Sequence, residues 1–148
     1  LCTPVACCLL LIACGDDDDV GTSDRIDILS VTPDTLVDGE MSTIEVEVSY
    51  DCNSYEMGVI YVGCNSYEGD TYSLLGHQMI ERGSGVITIE ITATAKNWGS
   101  AGSFRIMANL SDAEHGDSWS PAAADFQAVT VTSVQQAQHA DDALLFDQ

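Results

Sequence analysis

From Arg25 onward, apolar and polar residues alternate with a period of two, the pattern of strands with one dry and one wet face. Ile44, Val46, Val48 and Tyr50 alternate with Glu45, Glu47 and Ser49, and Ile87, Ile89, Ile91 and Ala93 alternate with Thr88, Glu90, Thr92 and Thr94. These two segments predict strands whose apolar sets face one core. Ile26, Ile28, Leu29 and Val31 predict an edge strand whose parity slips once, which calls for a bulge. Pro33-Asp34 then turns the chain. The run Met57–Gly63 is apolar without alternation, which predicts a central strand. Shorter strands are expected at Tyr72–Leu75 and Gln78–Glu81, with a turn at Arg82-Gly83-Ser84-Gly85. Phe104, Ile106, Ala108 and Leu110 form another strand, and Val129 with Val131 closes the series.

The sum is seven or eight strands, with turns at intervals of roughly 10–15 residues and no amphipathic helix. An all-β fold follows, and a two-sheet antiparallel sandwich with Greek-key connections over residues 25–133 fits it best. A chain of 148 residues suits one such domain and not two. The order and spacing of the strands resemble immunoglobulin-like and fibronectin-III-like modules of bacterial surface proteins. This likeness is architectural: the Cys…Trp…Cys signature of true immunoglobulin domains is absent, and the likeness implies no partner. Residues 134–148 are expected to be a tail, disordered or a short frayed helix.

Ahead of the strands lies Val5-Ala6-Cys7-Cys8-Leu9-Leu10-Leu11-Ile12-Ala13, an uninterrupted apolar run. Its length matches a signal-peptide core of roughly 7–15 residues and falls short of the roughly 20 that cross a bilayer. Asp16 to Asp19 follow almost at once, which no spanning helix tolerates. At the junction, Leu11-Ile12-Ala13-Cys14 resembles the lipobox of bacterial lipoproteins at all four positions. The resemblance implies cleavage between Ala13 and Cys14 and diacylglycerol on the Cys14 thiol. A thiolate is the side chain nucleophilic enough for that transfer, and two or three acyl chains give stable anchoring where one is marginal. The chain begins at Leu1 without Met or a basic leader, which reads as a truncated gene model or an alternative start codon. Residues 1–13 are thus expected to be signal peptide, and residues 14–24 the lipidated cysteine and an extended acidic tether. The expected location is the cell envelope. Gly15 stands directly after Cys14 and Asp16 comes next, which favours outer-membrane over inner-membrane sorting.

Charge narrows the partners. Asp and Glu number 24 against four Lys and Arg, a net charge of −20. Such a body repels phosphate, which argues against nucleic acid, and attachment to an anionic membrane must be covalent. The acidity reads as a solvated surface, or alternatively as a surface for divalent cations or a cationic partner.

Of six cysteines, Cys2, Cys7 and Cys8 fall in the signal, and Cys14 takes the lipid. Cys52 and Cys64 remain, each opening the same pentapeptide, Cys-Asn-Ser-Tyr-Glu. If Met57–Gly63 is one strand, they stand roughly 20 Å or more apart at about 3.3 Å per residue. A disulfide needs Cα atoms within about 7 Å, so two free thiols are expected. For the same reason the two copies are not expected to share a metal ion.

The richest polar cluster lies before the last strand. Asp112, Glu114, His115 and Asp117 are weak candidates for a calcium or transition-metal site, without the EF-hand spacing. Trp119 beside them is a candidate contact for a sugar or protein, and Trp98 is expected to fold back over one end of the sandwich. No nucleophile elbow or glycine-rich phosphate loop occurs, and His77, His115 and His139 lie in unrelated segments. The expected function is therefore a non-enzymatic, membrane-anchored interaction or structural domain with no cofactor and with a protein or glycan partner. The alternative is a calcium- or carbohydrate-binding module using residues 111–121.

Overall fold

A computed structural model describes residues 23–65, 72–114 and 121–134. Six strands make up nearly all of it: β1 (Arg25–Thr32), β2 (Thr35–Val37), β3 (Met41–Asn65), β4 (Tyr72–Thr94), β5 (Phe104–Asp112) and β6 (Ala123–Thr132). A single short 3-10 turn at Gly99–Ala101 interrupts the strands. The all-β expectation holds, as does the parity slip in the first strand. The β1–β3 ladder shifts between Ile28 and Ser30, leaving the half-exposed Leu29 as the extra residue.

The strand count differs from expectation for a physical reason. Residues 41–65 form one strand, and 72–94 another, because the expected breaks are bends inside a continuous hairpin. Cys52 still pairs with Gly83 and Met57 with Glu81, so residues 53–56 bulge out opposite Arg82 without ending the ladder. Gly83 absorbs the bend at φ 128°, a conformation rarely open to other residues. The run Arg82-Gly83-Ser84-Gly85 is thus a bend within β4 and not a turn between strands. The three-residue β2 is a strand that the alternation did not predict. It follows a cis peptide at Thr32–Pro33 and pairs in parallel with β6.

The bend lets β3 and β4 serve two layers. The first half of β3 pairs with β1 and the second half of β4, while Gly58–Cys64 lies between β5 and the first half of β4. The central placement expected for Met57–Gly63 follows. At Gly76, an added Cβ would stand 2.9 Å from Ile91 Cγ2, so the two halves of β4 face each other across the core. All six strands nevertheless belong to one barrel-like sheet, ordered β1-β3-β5-β6-β2 with β4 on the other edge of β3. β1 packs against β5 and β6, and its Ile28 N–H donates to Asp125 Oδ2 of β6 at 2.8 Å. The chain thereby nearly closes on itself, which removes an exposed edge.

The core holds the alternating sets the sequence predicts. Ile44, Val46 and Val48 meet Ile89, Ile91, Ile60, Val62, Ile106 and Leu110. Complete burial of each large aliphatic contributes about 1.5–3 kcal/mol relative to exposure.

Candidate functional site

The described residues gather the most polar chemistry where the bulge of β3 meets the end of β5. Asp24, the residue before β1, reaches across to this bulge. Its Oδ1 accepts the Asn53 N–H at 2.7 Å and the Ser54 N–H at 2.9 Å. Those two backbone donors lost their ladder partners when the strand bulged, so the carboxylate satisfies them. Burial pushes the Asp24 carboxyl up, but hydrogen bonds from Ser54 and Asn53 together outweigh it and hold its pKa below the ordinary value. Opposite, Arg82 Nη1 pairs with Glu56 Oε1 at 3.1 Å, and its Nε donates to Tyr55 O at 3.3 Å.

Ser54, Tyr55, Glu56 and Met57 of the bulge, with Asp112 and Glu114, line a concavity of about 260 Å³. Asp112 Oδ1 accepts the Glu114 N–H at 2.9 Å, and the Ala113 N–H donates to Met57 O at 3.1 Å, which ties the loop to the bulge. Two of the four candidate metal ligands, Asp112 and Glu114, therefore line the same concavity as Glu56, whose carboxylate is paired with Arg82. Among the described residues no group of three or more His, Cys, Asp or Glu side chains is arranged to hold a metal ion. His115, Asp117 and Trp119 lie outside the described residues, as do Cys14, the signal and tether residues 1–22, His139 and the rest of the tail.

Cys52 and Cys64 are buried free thiols at the two ends of the central segment, in agreement with the spacing argument. Burial pushes both thiol pKa values up, which leaves them protonated and poor nucleophiles or ligands at neutral pH. The two pentapeptide copies do different work. In the first, the Asn53 N–H is held by Asp24. In the second, Asn65 is buried, donating from Nδ2 to Ser103 O at 2.7 Å and accepting the Arg105 N–H on Oδ1 at 2.8 Å. Ser66, Tyr67 and Glu68 lie outside the described residues.

At the opposite end, half-buried Trp98 lines a concavity of about 310 Å³ with Lys96, Asn97, Ser103, Phe104 and Thr130. Its indole Nε1 is buried without a hydrogen-bond partner, and the ring folds against the end of the domain as expected. A third concavity, of about 420 Å³, lies beside Tyr50 and Asp51 between Arg25 and Val86. His77 is exposed on β4, with its ring 5.9 Å from that of Tyr61, and lines none of the three.

No protein-family model matches the chain, and no curated protein matches its sequence. Among solved structures, the chain is similar to the CARDB domain of the PF1109 protein from Pyrococcus furiosus, determined in complex with di-metal ions. The identity is 16%, the TM-score 0.38, and the match covers 74% of this chain and 93% of that one. Macromomycin is similar at 16% identity and TM-score 0.37, covering 72% of this chain and 99% of its own. This chain's all-β, barrel-like architecture rests on its own ladders.

Proposed function

We propose that this chain is a lipid-anchored protein of the bacterial cell envelope whose single immunoglobulin-like sandwich serves interaction or structure and not catalysis. The observation that carries the reading is the spacing of Leu11-Ile12-Ala13-Cys14 against the first residue of the fold. The lipobox-like motif ends at Cys14, and the domain is already clasped to itself at Asp24. The ten residues from Gly15 to Asp24 reach at most about 35 Å. Anchoring on Cys14 would thus hold the bulge end of the domain close to the membrane and turn the Trp98 end outward. Support for the two-layer arrangement comes from the contact between the halves of β4 at Gly76 and from the transfer of the first strand pair from β3 to β6. With Gly15 after the cysteine, the outer membrane is the expected destination.

Intact mass spectrometry of the mature protein, with and without thiol alkylation, tests the reading. The expected species begins at Cys14 and carries acyl mass that Cys14→Ser abolishes. It takes up alkylating reagent at Cys52 and Cys64 only after denaturation. A mature chain that retains Leu11 to Ala13, or that carries no added lipid, overturns the proposal.

A further inference from the structure

Among the described strands, β1, β2 and β4 have a ladder on one side only. Two of these edges are guarded. β2 stops after three residues, and β1 carries the bulge at Leu29 and gives its Ile28 N–H to Asp125 of β6. Short length, bulges and covered donors are the devices by which proteins keep sheet edges from pairing with other chains. The second half of β4 has none of them. From Gly83 to Thr94 its ladder to β3 runs without a register shift, and the segment holds no Pro, Lys or Arg. Every residue from Val86 to Thr94 except Glu90 and Ala93 is β-branched, which favours a regular extended strand. The first half of β4 is less regular, with a register shift opposite Val62 and Gly63 and a glycine at position 76.

In an antiparallel pair, each strand turns alternate pairs of N–H and C=O groups toward its neighbour, so the rest of those in Val86–Thr94 point away from β3. Among the described residues, no backbone hydrogen bond outside the β3 ladder reaches this segment. Val86, Thr88, Glu90, Thr92 and Thr94 are all exposed, while Ile89, Ile91 and Ala93 belong to the core. An added strand would therefore find a row of backbone donors and acceptors about 30 Å long, dry on one face and wet on the other. Charge selects which strand fits. Glu90 stands directly opposite Glu45 of β3, and both are exposed. Side chains so placed lie about 5 Å apart, and like charges there repel. The described ion pairs join Arg25 to Asp27, Arg82 to Glu56 and Lys96 to Asp38, and none involves Glu45 or Glu90. A base beyond Glu90 would complete the row across three strands. A second copy of this chain offers no base in its own Val86–Thr94 and brings a further net charge of −20.

We propose that the outer edge of β4 from Val86 to Thr94 is a docking edge for an extended basic segment of another protein. That segment adds to the sheet as a strand, with a Lys or Arg beside Glu90 and with apolar side chains continuing the row of Ile89 and Ile91. Main-chain hydrogen bonds supply the affinity, and the acidic pair on one face with the apolar row on the other sets the partner's alternation. This edge gives a surface to the interaction role proposed above, on which the choice of a protein partner rests. It does not depend on lipid at Cys14.

A synthetic peptide of about nine residues alternating Lys and Val tests this on the full chain, by calorimetry and by amide hydrogen exchange. Binding should slow exchange at least tenfold at alternate residues of Val86–Thr94, because only the outward N–H groups gain partners, and should leave β6 unchanged. A version with Pro in place of two of the Val residues keeps the charge but cannot pair as a strand, and should bind at least tenfold more weakly. Glu90→Gln, at an exposed position, should weaken binding of the alternating peptide at least threefold. Unchanged exchange in Val86–Thr94 overturns the proposal. So does equal binding of the Pro version, which makes the contact a general attraction to a chain of net charge −20. Binding indifferent to Glu90→Gln removes the basis for a basic partner and overturns it as well. Outward amides already protected in the free chain mean that the edge is covered by this chain itself, or by a second copy if protection grows with concentration, and either result is equally fatal. The acyl mass on Cys14 is measured separately, so none of these outcomes is confused with failure of the lipoprotein reading.

Discussion

Asp24 illustrates how a single carboxylate can define where a domain begins. Residues 53–56 bulge because these four positions of β3 answer the single position Arg82 of β4, and the stranded N–H groups of Asn53 and Ser54 take Asp24 as their acceptor. The Asp24 pKa lies below its ordinary value, so the folded state binds that proton less tightly than the unfolded chain. Its stabilisation is complete above the ordinary aspartate value of about 3.9 and is lost as pH falls through the folded value. Asp24→Ala should therefore cost about 1 kcal/mol at pH 7, comparable to loss of a helix cap and reduced by solvent screening. Urea titrations at pH 7 and pH 3 would check this, with the gap between wild type and variant narrowing at the lower pH. Nothing in the local sequence marks Asp24 apart from Asp16 to Asp19, because its partners lie 29 and 30 residues away. The paired pentapeptides were legible as a repeat. Their separate roles were not, since Asn65 is defined by Ser103 and Arg105, which arrive from β5 and the loop before it.

Strands with clean alternation were readable because burial on one face imposes a period of two, and Ile44–Tyr50 and Ile87–Ala93 carry it without interruption. The joins between strands were not readable. Arg82-Gly83-Ser84-Gly85 has the chemistry of a turn, and what keeps it in the ladder is the pairing of Gly83 with Cys52 and of Gly85 with Tyr50. β2 escaped notice because three residues carry no periodicity, and its partner Thr130–Thr132 lies at the far end of the fold. The folded-over hairpin makes a prediction about its glycines. Gly76→Ala places a methyl 2.9 Å from Ile91 Cγ2 and 3.1 Å from Ile89 Cγ2, and side chains can yield, so the expected cost is about 1–3 kcal/mol. At Gly63 the same methyl would meet the Ser73 carbonyl oxygen at 2.1 Å, where only backbone movement gives relief. Gly63→Ala should therefore lose more than Gly76→Ala in denaturant midpoint. A Gly76→Ala variant as stable as the wild type would mean that the two halves of β4 do not meet as described.

Closure of the sheet belongs to the whole molecule, and it depends on a side chain. Because Asp125 accepts the Ile28 N–H at 2.8 Å, Asp125→Ala should cost about 1–3 kcal/mol. It should also speed amide exchange across β1 more than across β3, which keeps its other partners. Around this closed body the charge is nearly uncompensated. Arg25, Arg82 and Lys96 pair with Asp27, Glu56 and Asp38, and Arg105 lies over Tyr72, so the four bases are already engaged. Exposed pairs of this kind contribute about 0–1 kcal/mol each, and four bases cannot neutralise 24 carboxylates. Their repulsion opposes the compact state more than the expanded one, and salt screens it over about 10 Å at 0.1 M. Raising sodium chloride from about 0.01 M to about 0.3 M, where screening is several-fold stronger, should therefore raise Tm by several degrees. Potassium chloride should act alike, since screening depends on ionic strength and not on the identity of the ion. The same titration separates a general field from the site that Asp112 and Glu114 suggested. If millimolar calcium raises Tm beyond what either chloride achieves at high concentration, and Asp112→Asn removes that excess, the stabilisation is a bound ion at the end of β5 and not the screening of a charged surface.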